Sequence, residues 1–361
     1  MSGPGGPLQG ATSFRGAVDL LTPLDHGSER EAADLHDRLA KPRGALGRLE
    51  PVGIRLAAIA GACPPPVPDP AVVAVFAGDH GVLAEGVTPW PQEVTAQMVA
   101  AFCAGGAAVN VLARHAGVQV LVVDVGVASD LPPAPGLLLR KVRRGTANLA
   151  AGPAMTVDDA GRALDVGAAV AADAVAGGAR CLVTGDMGIG NTTASAALIA
   201  VLTGRPPAEV TGRGTGIDDA TFRRKVLIVE AAVDRVAPTS DPIELLASLG
   251  GLEIAGLAGF ILGGAAARVP VVVDGVVALA GLLVAAALAP GCVDYCLAGH
   301  RSTEPGATAA LDHLGLTPLL DLGMRLGEGT GALLAVPLVQ AAAKILREMA
   351  TLDSAGVTGK E

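Results

Sequence analysis

Six short apolar runs, rich in Val and Leu and separated mostly by alanine-rich stretches of helical character, leave this chain few ways to fold. They are Ala71 to Ala77, Val118 to Asp124, Leu137 to Val142, Arg180 to Thr184, Pro270 to Val273 and Cys292 to Leu297. Runs without polar alternation suit strands buried on both faces, as in parallel sheets covered by helices. Strand–helix alternation then predicts an α/β domain with a doubly wound, mostly parallel sheet of about six strands and right-handed crossovers. In such sheets ligands bind beyond the carboxyl ends of the strands. The followers here are GDHG (Gly78 to Gly81), DVGV (Asp124 to Val127), GDMGIGNTT (Gly185 to Thr193), DG (Asp274, Gly275) and GHRS (Gly299 to Ser302). Nearly every polar, glycine-bearing turn is therefore expected on one rim.

Around this Rossmann-like domain, assigned to 71–329, a small helical domain is expected from 17–62 plus 330–361. Residues 1–16 read as a disordered tail. The N-terminal helical piece breaks at Lys41 to Gly44, and the proline-rich Cys63 to Pro70 cannot be helical, so it forms a linker. Thr330 to Met349 reads as a helix bent at Pro337.

With 51% hydrophobic residues in 361, the chain can bury a large core. Aromatics make up only 2% and glycine 49 residues, so that core is built from Ala, Val and Leu in closely approaching elements. A net charge of −9 without a Lys/Arg run excludes a nucleic-acid groove. Five scattered cysteines and no charged-then-apolar leader fit reduced thiols in a cytoplasmic protein. Cys292, Cys296 and His300 can be read as metal ligands, but the strand-like VDYCLA favours buried apolar thiols. Val269 to Pro290 is long enough to cross a membrane. Asp274 and Gly275 interrupt it and no basic or aromatic anchors flank it, so a strand, a turn and a helix from Val276 is the better parse.

Two turns concentrate the chemistry. Gly188, Gly190, Asn191, Thr192 and Thr193 follow a strand and open a helix, Ala194 to Leu202, so free amides there suit a phosphate or carboxylate, or simply form a capped turn. No Lys follows as in a Walker loop. Gly212 to Gly216 forms a second glycine-rich turn, followed by Asp218, Asp219 and Lys225. Lys225 alone reads as a cation on a solvated helix face, yet with the two turns it would supply charge to enclose a phosphorylated ligand. Asp79 and His80 either relay protons, bind metal or merely shape their turn. Trp90, the only Trp, is a core plug or a stacking wall for a flat ring. Glu328 sits between glycines in LGEGTGA, where an apolar setting would raise its pKa and make it a better base.

KPRGALGRLE (Lys41 to Glu50), FAGDHGVLAEGVTPWPQEVTAQMV (Phe76 to Val99), GDMGIGNTT, GRGTGIDD (Gly212 to Asp219), GHRSTEPG (Gly299 to Gly306) and LDLGMRLGEGTGALLA (Leu320 to Ala335) occur in one order. Through them the chain, from about Leu20 to Met349, resembles the nicotinate-nucleotide:dimethylbenzimidazole phosphoribosyltransferase family. The resemblance implies transfer of 5-phosphoribose from nicotinate mononucleotide to a benzimidazole nitrogen, giving α-ribazole 5′-phosphate and nicotinate in cobalamin lower-ligand assembly. It implies Glu328 as general base, with Asp186 as a second catalytic carboxylate where the family often has Glu. Gly188, Gly190, Asn191, Thr192, Gly214, Thr215, Gly216, Lys225 and Ser302 would hold the mononucleotide. Thr88, Trp90, Gln97, Met187 and Leu326 would line the benzimidazole pocket. A cytoplasmic homodimer is implied, with no cofactor, metal, nucleic acid or membrane. Competing expectations are a metal-dependent phosphohydrolase using Asp79, His80, Asp186 and Asp274, a non-catalytic nucleotide or benzimidazole binder, and, more weakly, a membrane protein.

Overall fold

The structure, a computed structural model, describes residues 11–236 and 241–358. The six strands are β1 (Ala71–Gly78), β2 (Gln119–Gly126), β3 (Leu137–Leu139), β4 (Cys181–Met187), β5 (Val271–Val273) and β6 (Cys296–Ala298). They form one sheet in the order β3-β2-β1-β4-β5-β6, every pair parallel. The doubly wound expectation holds. Strand order reverses between β1 and β4, so the loops leaving these two strands part and leave a crevice. β1 is buried along its whole length, as its unbroken Ala/Val/Phe run requires.

Helices cover both faces. One face carries Val157–Ala176, Asn191–Thr203, Leu252–Ala266 and Val276–Leu288, whose buried side chains form the larger core. The other carries Glu93–Cys103, Ala108–Ala116 and the first half of Thr330–Glu348. The glycine-rich, aromatic-poor composition has a visible purpose: a Cβ on Gly167 would overlap the Gly256 carbonyl, and one on Gly259 the Leu164 carbonyl. Helices Val157–Ala176 and Leu252–Ala266 therefore meet backbone to backbone. Val276–Leu288 spans 13 residues, short of the ~20 that a ~30 Å hydrocarbon layer demands.

Several boundaries differ from expectation. The tail assigned to 1–16 ends too late: Phe14 opens a helix, Phe14–Leu20, its ring buried. Ser13 Oγ caps it through Gly16 N, and Asp165 Oδ1 accepts from Phe14 N at 3.0 Å. Residues 1–10 lie outside the described residues. β3 stops at Leu139 rather than Val142, because only three residues register with β2 before the chain turns toward Gly145, which packs on Asp79. VDYCLA is not one strand: Pro290–Tyr295 is a 3₁₀ turn and only Cys296–Ala298 pairs. Tyr295 is pulled inward by its hydroxyl, which donates to the Thr22 carbonyl at 2.8 Å. β4 runs three residues beyond Thr184, carrying Asp186 and Met187 inside the sheet edge. The N-terminal helices His26–Arg38 and Leu49–Ala60 meet the end of Thr330–Glu348 where Leu346 packs on Ala32 and Ala57. The first half of that last helix belongs to the sheet's own core, through Leu333, Val336 and Val339.

Candidate active site

Beyond the carboxyl ends of β4, β5 and β6, roofed by the segment after β1, lies a cavity of about 320 Å³. Its inner wall is the turn from Asp186 to Thr193. Gly188 permits this turn, since a Cβ there would overlap the Gly78 carbonyl of β1. Ile189 N donates to Thr95 Oγ1 at 3.1 Å, tying the turn to the neighbouring helix. Helix Asn191–Thr203 begins three residues earlier than expected, with Gly190 at φ 91° as its N-cap. Asn191 and Thr192 thus belong to its first turn, where backbone N–H groups lack intrahelical partners and the helix dipole favours anions.

The second glycine turn meets the first. Lys225 Nζ donates to Thr192 Oγ1 at 2.8 Å and to the Gly212 carbonyl at 3.1 Å. The solvated-face reading of Lys225 fails: it is 2% exposed, and burial pushes its pKa down to about 8 against the opposing pull of Glu304. Helix Asp219–Arg235 turns this residue inward, so that the ammonium reaches the Thr192 hydroxyl and the Gly212 carbonyl. Gly214 and Thr215 line the cavity, as does Ser302 after β6, whereas Gly216 lies beside the lining residues.

Glu328 comes from the opposite side. Three consecutive residues, Gly327, Glu328 and Gly329, have φ of 85°, 62° and 88°. For Glu this conformation costs on the order of 1 to 2 kcal/mol. It exists because the segment lies directly on β4: Gly185 and Gly329 have no Cβ to hold the backbones apart, and Glu328 N donates to the Asp186 carbonyl at 3.2 Å. Asp274 locks the far side, its carboxylate accepting from Gly329 N at 3.2 Å and Ala332 N at 2.9 Å. It thereby caps helix Thr330–Glu348. Glu328 is 5% exposed; its Oε2 accepts from Val109 N at 3.2 Å. Burial raises its pKa, the Val109 amide opposes this, and the charge of Asp274 adds to the rise.

Asp186 is the more extreme acid. Burial, then the charges of Asp274, Glu253 and Glu328, push it well above the ordinary aspartate range, while the Asn191 amide at 3.0 Å opposes them. Its Oδ1 has no hydrogen-bond partner among the described residues. An isolated buried carboxylate oxygen is costly. A proton on Asp186, or a ligand donor, would satisfy it.

The remaining predicted residues sort plainly. Thr88, Trp90, Met187 and Leu326 line the cavity; Gln97 is exposed and does not, its neighbours Val94 and Met98 taking that wall. Trp90 is half exposed, so it walls the cavity and does not plug the core. Asp79 Oδ2 accepts from Ala128 N at 2.7 Å, and His80 Nε2 pairs with Glu253 Oε1 at 2.7 Å, both fully buried. Burial alone would lower the His80 pKa, but the charge and hydrogen bond of Glu253, with the charge of Asp79, leave it raised. Of the residues assigned to a metal-dependent hydrolase, Asp79 and Asp274 accept from backbone amides, Asp186 from the Asn191 amide, and His80 is taken by Glu253. No group of three or more His, Cys, Asp or Glu side chains is placed to hold a metal ion among the described residues. Glu304, Arg325 and Glu253 escaped the sequence reading. Glu304 Oε1 accepts from Gly214 N at 2.8 Å, and Arg325 Nη1 donates to the Gly214 carbonyl at 2.7 Å. Their partners lie 90 and 111 residues away, so no local pattern announces them.

A helix N-terminus with a buried ammonium beside it and a desolvated carboxylate line one cavity, the kind of arrangement that glycosyl transfer from a phosphorylated sugar would need. Comparison with known proteins points the same way. The sequence profile of the DBI_PRT family, described as phosphoribosyltransferase, matches residues 21–357. The nicotinate-nucleotide–dimethylbenzimidazole phosphoribosyltransferase of Salinispora tropica is 57% identical, covering 94% of this chain and 98% of its own. That of Chloroflexus aggregans is 54% identical, covering 95% and 98%. A crystal structure of the enzyme of that name from Thermus thermophilus superposes with a TM-score of 0.89 at 51% identity, over 93% of this chain and 100% of that one. A second from the same organism, described as CobT, gives 0.90 at 52% identity, over 92% and 100%. Matched along nearly its whole length by sequence and by fold, this chain belongs to the DBI_PRT family of phosphoribosyltransferases.

Proposed function

We propose that the protein moves the 5-phosphoribosyl group of nicotinate mononucleotide to a nitrogen of 5,6-dimethylbenzimidazole or a related base. The products are α-ribazole 5′-phosphate and nicotinate, used in assembly of the lower ligand of cobalamin. The observation that carries this reading is the placement of Glu328 in the same cavity as the Gly188–Thr192 and Gly214–Lys225 cradle. The names of the relatives supply the substrates.

The chemistry balances on these residues. The imine nitrogen of the base attacks C1′ with its lone pair as the C1′–pyridinium bond breaks. The bonding electrons return to the nicotinate ring nitrogen, which becomes neutral and needs no acid. The new ribosyl-benzimidazole is cationic until its other ring nitrogen gives up its proton, and Glu328 takes it. Attack from the face opposite the leaving group turns a β-nucleotide into an α-product. The Gly188–Gly190 turn, Thr192 and Lys225 hold the phosphate, so binding energy at the unreacting end positions C1′. Asp186, whose carboxylate lies against Gly327, offers its Oδ1 to a ligand donor. We place the protein in the cytoplasm as a homodimer, working without a cofactor.

The test is to incubate the protein with nicotinate mononucleotide and a panel of benzimidazoles, purines and phenols. Release of nicotinate, with an α-ribosyl product resolved by NMR coupling at C1′, is expected for at least one benzimidazole. No release with any acceptor contradicts the reading.

A further inference from the structure

Glu304 is an acid in the wrong company. It immediately precedes helix Pro305–Leu314 but makes no side-chain cap to it. Instead its carboxylate reaches across the cavity edge, and Oε1 accepts from Gly214 N at 2.8 Å. A Cβ on Gly212 would overlap that carboxylate, so the second glycine turn is shaped around it. Only 6% exposed, it lines the cavity with Lys225, whose ammonium is engaged by Thr192 and Gly212 and makes no ion pair with Glu304 within 4.0 Å among the described residues. A buried carboxylate beside an anion cradle costs desolvation and repels phosphate. The Gly214 amide takes Oε1 and the Lys225 charge offsets part of this cost, but Oε2 has no hydrogen-bond partner among the described residues and is left for a ligand group that donates to it.

This argument rests on the reading of the protein as a phosphoribosyltransferase for nicotinate mononucleotide. On that substrate the phosphate oxygens, the furanose oxygen and the nicotinate carboxylate only accept hydrogen bonds. The 2′- and 3′-hydroxyls are the only donors. The ribose must also bridge the cradle that holds its phosphate and the wall where Glu328 waits at C1′, which brings its hydroxyl edge past the cradle rim. We infer that Glu304 accepts a hydrogen bond from the ribose 2′- or 3′-hydroxyl and makes the site selective for ribosyl over deoxyribosyl donors. The same contact aids the chemistry: as positive charge grows at C1′, a hydroxyl bound to a carboxylate becomes less electron-withdrawing and the bond strengthens. Glu304 thus both anchors the Gly212–Gly216 turn, through Gly214, and reads the sugar.

The test compares nicotinate mononucleotide with its 2′-deoxy and 3′-deoxy analogues, measuring binding by calorimetry and nicotinate release with dimethylbenzimidazole. The wild-type protein should disfavour at least one analogue by on the order of 10- to 100-fold, the worth of one charge-assisted hydrogen bond. In Glu304→Gln that preference should shrink several-fold, because the parent loses affinity while the discriminated analogue does not. Glu304→Asp, which keeps the charge on a shorter arm, serves as the second variant should the amide disturb folding, and should retain part of the preference. Equal handling of parent and both analogues by the wild type overturns the inference, as does a preference that persists undiminished in Glu304→Gln. Tight binding of the parent without nicotinate release contradicts the proposed reaction and leaves the binding comparison to decide the role of Glu304. No binding of the parent overturns both.

Discussion

The two ends of the cavity are built to different standards. At the cradle end Lys225, Ser302 and Glu304 are each less than 7% exposed, and hydrogen bonds tie the two glycine turns to Thr95, Lys225, Glu304 and Arg325. At the proposed acceptor end Trp90 is 50% and Leu326 58% exposed, and Met98 and Met187 line the same cavity. In the proposed reaction a site assembled this way would fix the sugar phosphate first and leave the flat base an apolar, adaptable wall. Methionine suits such a wall, since its flexible thioether fills irregular gaps. Affinity and geometry should come from the first end, and choice of base from the second.

The comparison can be broken most sharply at Glu328, which joins the two ends. Glu328→Gln keeps the side chain's shape and removes the base, so turnover should fall by about 10²- to 10⁴-fold while calorimetric affinity for nicotinate mononucleotide stays within a few-fold. Because its pKa is raised, kcat/KM should decline as pH falls through that raised value, which lies above the ordinary glutamate range. Comparable loss of nucleotide binding would show that the two ends are not separable.

A smaller effect is expected from the cradle. Lys225→Ala should weaken nucleotide binding by on the order of 10- to 100-fold, a charge-assisted contact removed from a dry site, with the acceptor KM little changed. The pH dependence has a definite sign. Only the ammonium form binds phosphate, and its pKa is about 8, so kcat/KM for the nucleotide should fall as pH rises through that value. Bound phosphate stabilises the charge, so the alkaline limb of kcat should lie higher than that of kcat/KM. Identical limbs would argue that Lys225 does not touch the phosphate. Folding responds in the opposite sense: the buried ammonium opposes the fold fully below about pH 8, and that cost fades as pH rises toward the unfolded value near 10.5.

Weakest of all should be Trp90→Ala, which removes part of an exposed wall. The KM for dimethylbenzimidazole should rise by about 3- to 10-fold and the nucleotide KM should not move. A kinetic panel of bases should also change rank order. An equal loss for both substrates would mean that Trp90 supports the fold and not the acceptor.

How much of this could be read from the sequence follows the same division. The sheet was legible because buried parallel strands announce themselves as unbroken Val-rich runs, and the turns carrying Gly188, Gly214 and Glu328 because glycine marks backbone that must approach closely. Lys225 was half legible: its type suggested phosphate, yet its burial depends on which way helix Asp219–Arg235 rolls against a helix some 30 residues earlier. Glu304 was illegible as a site residue because what defines it is a partner backbone amide 90 residues away, and Asp274, legible on the rim, hid its role as an acceptor for Gly329 N and Ala332 N for the same reason. The misread VDYCLA shows the converse. Its alternation fits a strand, but the pull of Tyr295 toward Thr22, 273 residues distant, overrides local pattern.

The most direct measurement is a crystal structure of Glu328→Gln with nicotinate mononucleotide and dimethylbenzimidazole bound. The account predicts the phosphate on the Gly188–Thr192 turn and Lys225, and the benzimidazole between Trp90 and Leu326 with a ring nitrogen within about 3 Å of the residue-328 amide. A nucleotide seated elsewhere, or a base lying beyond hydrogen-bond reach of that amide, would contradict it.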